Sequence, residues 1–279
     1  MTYVNWKLMH GGACTHPEKM VIPTGTWQKR TFPALFSLIE HPKHGPILID
    51  TGYAKHFFDE THKMPYRIMR YLTPVQFDER QSAYAQVIAS GYQPEAVQFI
   101  LLTHLHPDHV AGLKDFPKAA FYLSRTEYQS IADKKGIAAI RKGFIPGLLP
   151  IDFAKRSHFI EENANMIQDE SIAPFEKGYD VFHDGSIVAV EIPGHSDGQI
   201  GFFIRTSSTK RIFLAADSCW VSEAYQNLIY PHPITHVLNK KAPYRNSLFK
   251  VHQLSQMQPK ITIVPSHCQT YWKNTQTVR

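Results

Sequence analysis

Apolar residues in this chain fall in short runs, and several of those runs end on a histidine or an aspartate. Ala34–His41 (ALFSLIEH) and Pro46–Asp50 (PILID) read as two strands joined through His-Gly-Pro, a hairpin-like pair. Gln81–Ser90 has helical spacing and stops at Gly91, a residue suited to closing a helix. Val97–Thr103 is continuously apolar, as in a strand buried on both faces. It delivers the chain into His104-Leu105-His106-Pro107-Asp108-His109, where the proline and histidines predict a loop, with a helix opening over Val110–Lys114. In the second half, Ser186–Ile192 alternates and runs into Pro193-Gly194-His195. Ile200–Arg205 and Arg211–Ala216 form another hairpin-like pair, the second member ending at Asp217. Tyr244–Met257 predicts an amphipathic helix with Leu248, Val251 and Leu254 on one face, and Ile261–Pro265 a last strand before Ser266-His267. Between the halves, Lys134–Gly178 shows no long period: Phe144-Ile145, Leu148-Leu149 and Phe153 alternate with Pro146, Pro150 and Pro174. It reads as an insertion with short helices, either a lid or a passive surface excursion.

The chain of 279 residues is long enough to bury a core unaided, and it holds no low-complexity tract. Its three cysteines, Cys14, Cys219 and Cys268, lie too far apart for a disulfide framework or a CxxC zinc module, and read as buried, inert thiols. A net charge of +6 raises the question of a nucleic-acid partner. The densest basic clusters are only Lys134-Lys135, Arg141-Lys142 and Lys240-Lys241, without interleaved aromatics, so the charge reads as a solvated surface. Met1–His10 lacks a basic segment followed by an apolar run, and no stretch approaches the roughly 18 apolar residues of a membrane span. The expectation is a cytoplasmic protein with neither nucleic acid nor membrane as partner.

The hexapeptide is dense in metal-ligand types. On an extended strand end His104 and His106 point the same way and can reach one cation, whereas Asp108 and His109, one bend later, face a second position. A single helix could not do this, because residues two apart diverge by about 200°. His195, Asp217 and His267 each follow a strand as well, and that shared position makes seven candidate ligands for two cations. Asp217 is the natural bridge, since a carboxylate offers one oxygen to each. Imidazole and carboxylate together accept zinc, iron, manganese or cobalt, zinc being the expected metal.

The order strand–THLHPDH, then PGH, then D, then a late SH resembles the metallo-β-lactamase superfamily over nearly the whole chain, and Leu48-Ile49-Asp50-Thr51-Gly52 is similar to that family's early IDTG turn. Within the superfamily the chain is similar to the N-acyl-homoserine lactonases, through Gly91–Glu95, Arg125–Tyr128 and Pro193–Ser196. The resemblance implies an αββα sandwich: two mixed β-sheets face to face with helices outside, one domain over 1–279 with the insertion at about 134–178. It implies a first metal on His104, His106 and His195, a second on Asp108, His109 and His267, and Asp217 between them. Asp50 would orient the ligand loop from behind. Two departures stand out: Trp220 replaces a substrate-contacting tyrosine, and Gly198-Gln199 replaces Gly-His.

The chemistry expected of such a site is hydrolysis of a lactone or ester by a metal-bridging hydroxide, with Asp108 as proton shuttle. An apolar tail would lie against Phe144, Ile145, Leu148, Leu149 and Trp220. The same scaffold serves phosphodiesterases and nucleases, which need a basic groove. It also serves iron-dependent sulfur dioxygenases, which hold one metal rather than two. A glutathione thioesterase would carry a helical domain after the last ligand, but twelve residues follow His267. A small-molecule substrate is expected, and a homodimer stays open.

Overall fold

The computed structural model describes residues 2–237 and 240–277. Its strands are β1 (Asn5–Pro17), β2 (Lys29–His41), β3 (Gly45–Ile49), β4 (Val75–Gln76), β5 (Phe99–Leu101), β6 (Ala120–Leu123) and β7 (Ser157–Phe159), then β8 (Asn165–Ile167), β9 (Gly178–Asp180), β10 (Ile187–Glu191), β11 (Ile200–Arg205), β12 (Arg211–Ala216) and β13 (Thr262–Pro265). They form two sheets, in the orders β4-β1-β2-β3-β5-β6-β7 and β13-β12-β11-β10-β9-β8. Both are mixed. The first is antiparallel from β4 to β3 and parallel from β3 to β7; the second is antiparallel except for the parallel pair β12–β13.

Side-chain alternation sorts each strand between two apolar layers. Leu35 and Ile39 of β2, Ile47 and Ile49 of β3, Phe202 and Ile204 of β11, and Ile212 and Leu214 of β12 share the layer between the sheets. Their neighbours Phe36, Leu38, Leu48, Phe203 and Phe213 face outward into a second cluster, covered by helices. The helix Lys241–Met257 seals part of that face with Leu248, Val251 and Leu254, all fully buried. At roughly 1.5–3 kcal/mol per buried Leu or Val, this one helix face contributes several kcal/mol.

The expected β2–β3 and β11–β12 pairs, the long helix and the final strand are all present; β3, β11, β12 and β13 match within a residue, whereas β2 begins five residues and the helix three residues earlier than expected. The early helix is Ala83–Ala89, capped by the Ser82 hydroxyl and followed by Gly91 at φ 90°. Two expectations need correction. The hexapeptide is a loop only to His106; a helical turn runs from Pro107 to Val110, because proline presets the first helical position. The segment 134–178 also carries β7, which pairs with β6, and β8, which pairs with β9, so it leads the chain from the edge of one sheet to the edge of the other. β1 has no counterpart in the sequence reading. Its register shifts between His10 and Ala13, where Gly11 meets Gly52 so closely that a Cβ on Gly11 would lie 2.6 Å from the Gly52 Cα.

Candidate metal centre

Asp50 follows β3 and His104 follows β5; His195, Asp217 and His267 follow β10, β12 and β13. The sandwich therefore brings to one edge groups that lie far apart in the chain. Asp50 and Ala216 both hold left-handed backbone, φ 61° and 44°, which turns the chain sharply as it leaves the sheet.

The seven predicted residues converge. His104, His106 and His195 form one set of donor atoms within 4.8 Å of one another; Asp108, His109 and His267 form a second, and His104, His109 and Asp217 a third that overlaps both. Asp217 reaches across: Oδ2 lies 3.2 Å from His195 Nε2 and 3.0 Å from His267 Nε2, and Oδ1 lies 3.4 Å from His109 Nε2. His104, His109, Asp217 and His267 are almost wholly buried, while His106, Asp108, His195 and Asp217 line an open cleft.

Hydrogen bonds behind the rings fix which nitrogen faces inward. Thr103 Oγ1 donates to Asp50 Oδ2 at 2.7 Å and so accepts from His104 Nδ1 at 3.0 Å. His106 Nε2 donates to the Lys142 carbonyl at 3.1 Å, His109 Nδ1 to Asp50 Oδ2 at 2.7 Å, and His267 Nδ1 to the Pro33 carbonyl at 2.7 Å. Each of these four imidazoles thus turns its remaining nitrogen towards the centre: Nε2 of His104, His109 and His267, and Nδ1 of His106.

Charge follows the same geometry. Burial, foremost, lowers His104, His106 and His195, the last to about 3, so these rings are neutral donors. Burial pulls His109 and His267 down too, but the carboxylates facing them win and raise both. Burial alone would raise Asp217, yet His267, His195 and His109 hold it well below the usual carboxylate range. The negative potential that tightens protons on His109 and His267 is the potential that a cation would meet.

The donor set fits a pair of divalent cations on three counts. His109 Nε2 and Asp217 Oδ1 are buried and, beyond their 3.4 Å ion-pair contact with each other, have no partner in hydrogen-bond geometry, a costly state that ligation would relieve. His106 Nδ1 has His104 Nε2 at 3.1 Å and His195 Nε2 at 2.9 Å. Donors on a tetrahedral zinc at 2.0–2.1 Å sit about 3.3–3.4 Å apart, close to this spacing. Finally, the imidazole–carboxylate mixture is the chemistry such cations take.

The cleft beside this cluster has a cavity volume of about 170 Å³ and opens to solvent. Its wall is mostly apolar and includes Met20, Val21, Phe57, Met69, Trp220 and Ile229. Trp220 lines this cleft, its ring 4.2 Å from that of His267. Phe144 and Leu148 do not line the cleft; they are 3% and 0% exposed and belong to the core, with Ile145 beside them. The apolar wall comes instead from the first seventy residues and the stretch after Trp220, which nothing local in the sequence marks. Sequence reasoning also missed the role of Glu127, whose buried carboxylate accepts from Leu105 N at 3.1 Å and Gly198 N at 2.9 Å, joining the two ligand-bearing loops. Cys14 lines the cleft beside Tyr53, and burial pushes its thiol well above the usual range.

The fold and this donor set define a class. The model of the metallo-beta-lactamase superfamily matches residues 30–215, and the chain belongs to that superfamily. The match ends before Asp217 and His267, so their membership of the cluster rests on the geometry above.

Among curated proteins, the N-acyl homoserine lactonase AttM of Agrobacterium fabrum is 29% identical over 203 residues, covering 71% of this chain and 70% of the relative. The N-acyl homoserine lactonase AiiA of Bacillus thuringiensis subsp. kurstaki is 21% identical over 186 residues, covering 66% and 64%. A solved N-acyl homoserine lactone hydrolase, with the product N-hexanoyl-L-homoserine at its catalytic metal centre, matches with a TM-score of 0.73 at 19% identity, covering 98% of this chain and 97% of that one. The dizinc quorum-quenching lactonase AidC matches with a TM-score of 0.65 at 14% identity, covering 96% and 89%. At these identities the structures share the fold.

Proposed function

We propose that this protein is a metal-dependent hydrolase that opens a lactone of the N-acyl homoserine class over two zinc ions. The observation that carries the reading is the overlap of three donor sets at the floor of an apolar cleft. His104, His106 and His195 would hold one ion, Asp108, His109 and His267 the other, with Asp217 between them. Bound there, the cations supply Lewis acidity for the carbonyl oxygen and bring the pKa of water to about 7.

The chain's own groups do the rest. The lactone enters from the cleft, onto which His106, Asp108, His195 and Asp217 open. Met20, Val21, Phe57, Met69 and Ile229 give the acyl chain an apolar wall that excludes water, and Trp220 closes the side next to His267. Asp108 is the more exposed of the two cleft carboxylates, its side chain 14% exposed against 2% for Asp217. Asp108 would carry the proton to the ring oxygen as the C–O bond breaks. Among the described residues, the Lys and Arg side chains lining the cleft are Arg141 and Lys142, and Lys142 is already paired with Asp197, which disfavours a phosphodiester substrate.

The test couples a metal count per chain to turnover of N-hexanoyl-homoserine lactone, an aryl ester and bis-p-nitrophenyl phosphate. Two ions with lactone opening and no phosphodiester cleavage are expected. Phosphodiester cleavage without lactone opening would overturn the reading.

A further inference from the structure

The helix Gly136–Ile140 ends in a short arm, Arg141–Gly143, that lies along the cleft. The arm is tightly shaped: Lys142 N donates to the Ala139 carbonyl at 2.8 Å and Gly143 N to the Ile140 carbonyl at 2.9 Å. Gly143 has φ +62°, and a Cβ there would sit 2.7 Å from His106 Nε2, so only glycine lets the arm approach this ring. Immediately beyond, Phe144 and Ile145 anchor the arm in the core.

Lys142 makes two contacts of different kinds. Its carbonyl accepts from His106 Nε2, which leaves Nδ1 of that ring as the lone pair facing His104 and His195. Its ammonium reaches Asp197 Oδ2 at 2.9 Å. The other oxygen of Asp197 lies 3.0 Å from Lys240 Nζ, and Lys240 N donates to the Gly194 carbonyl at 2.8 Å. Asp197 is two residues past His195. One carboxylate therefore ties the arm that orients His106 to the turn that carries His195, two members of the same donor set.

We infer that Asp197 is a positioning residue for the cation assigned to His104, His106 and His195, acting through the Lys142–Asp197–Lys240 strap. The inference rests on the two-cation reading of the site. If the strap loosens, the Lys142 carbonyl no longer holds the proton of His106 on Nε2, and the ring is free to rotate or to move that proton to Nδ1. Partners behind a metal ligand affect metal affinity by about 10–100-fold. Asp197 is 20% exposed and its lysines are more so, which places the effect at the lower end, about 10-fold.

The experiment uses full-length protein loaded with zinc and titrated with dipicolinate, following zinc released per chain. In Asp197→Asn one of the two ions should leave at about 10-fold lower chelator while the other is held as in the wild type. Lys142→Met should reproduce this, and the double variant should lose little more, because both changes cut the same link. High salt should narrow the gap between wild type and variants, since the strap is partly exposed. Unchanged affinity for both ions overturns the proposal. Weakening of both ions together with a lower melting temperature after chelation also overturns it, since that pattern marks a general structural role. Selective release of one ion from a protein that opens no lactone would leave the strap standing and remove the functional reading. A wild-type protein that never holds two ions removes both.

Discussion

Asp50→Asn separates the charge behind the cluster from its backbone. Asp50 is 3% exposed and sits at φ 61°, a conformation that asparagine also accepts, so the turn should survive the change. Its carboxylate accepts three hydrogen bonds: Thr103 N on Oδ1 at 2.9 Å, and Thr103 Oγ1 and His109 Nδ1 on Oδ2 at 2.7 Å each. An amide can accept at only one of those two positions. If its NH2 faces His109, the ring must accept at Nδ1 and shift its proton to Nε2, the atom turned towards Asp217. If its NH2 faces Thr103 N, two buried donors oppose each other. Either arrangement costs about 1–3 kcal/mol, the penalty of one buried unsatisfied group. That corresponds to a loss of zinc affinity of about 10–100-fold at the set containing His109, with activity falling in parallel at limiting zinc. Chelator competition measures the affinity, and nitrogen NMR of labelled histidine reports the tautomer. A variant that binds both ions as tightly as the wild type, with His109 still protonated on Nδ1, would refute the reasoning.

Asp217→Ala removes a carboxylate that reaches both donor sets, so metal content and activity should disappear together; retention of both ions by elemental analysis would count against the bridge. Trp220→Ala should keep both ions and change acyl-chain preference, read as a ratio of kcat/KM for short and long acyl lactones. Loss of zinc in that variant would show that the indole serves His267 rather than substrate. Away from the site, His56 Nε2 lies 2.7 Å from Asp115 Oδ1, and that hydrogen bond raises the imidazole pKa against the opposing effect of burial. A raised folded-state pKa stabilises below the unfolded value, about 6.5, and the gain is lost as pH rises through the folded value. Wild type should therefore exceed His56→Gln in urea stability at about pH 5.5 by up to about 1 kcal/mol, and the difference should shrink by about pH 9; a pH-independent difference would contradict this.

The donor types and the strands that carry them were legible in the chain itself. Apolar runs that stop on His104, His195, Asp217 and His267 are local patterns, and the near-continuous apolar runs of β11 and β12 match the observed strands to the residue. The hexapeptide and the IDTG turn made Asp50 and the histidines readable before any fold was known. Tertiary structure decided what surrounds them. β1 escaped because Gly11 and Gly12 interrupt its alternation, and only the fold explains them: Gly52 packs against Gly11, and Gly12 holds φ +84°. Phe144 and Leu148 read as cleft wall and proved to be core, whereas Met20, Phe57 and Met69 form the wall, because an apolar side chain carries no sign of which surface it covers. The Lys142–Asp197 link joins residues 55 apart, and charge on a surface residue gives no hint of such a partner. Periodicity and side-chain chemistry are properties of neighbouring residues, whereas enclosure and orientation are set by contacts between distant ones, which only the folded chain brings together.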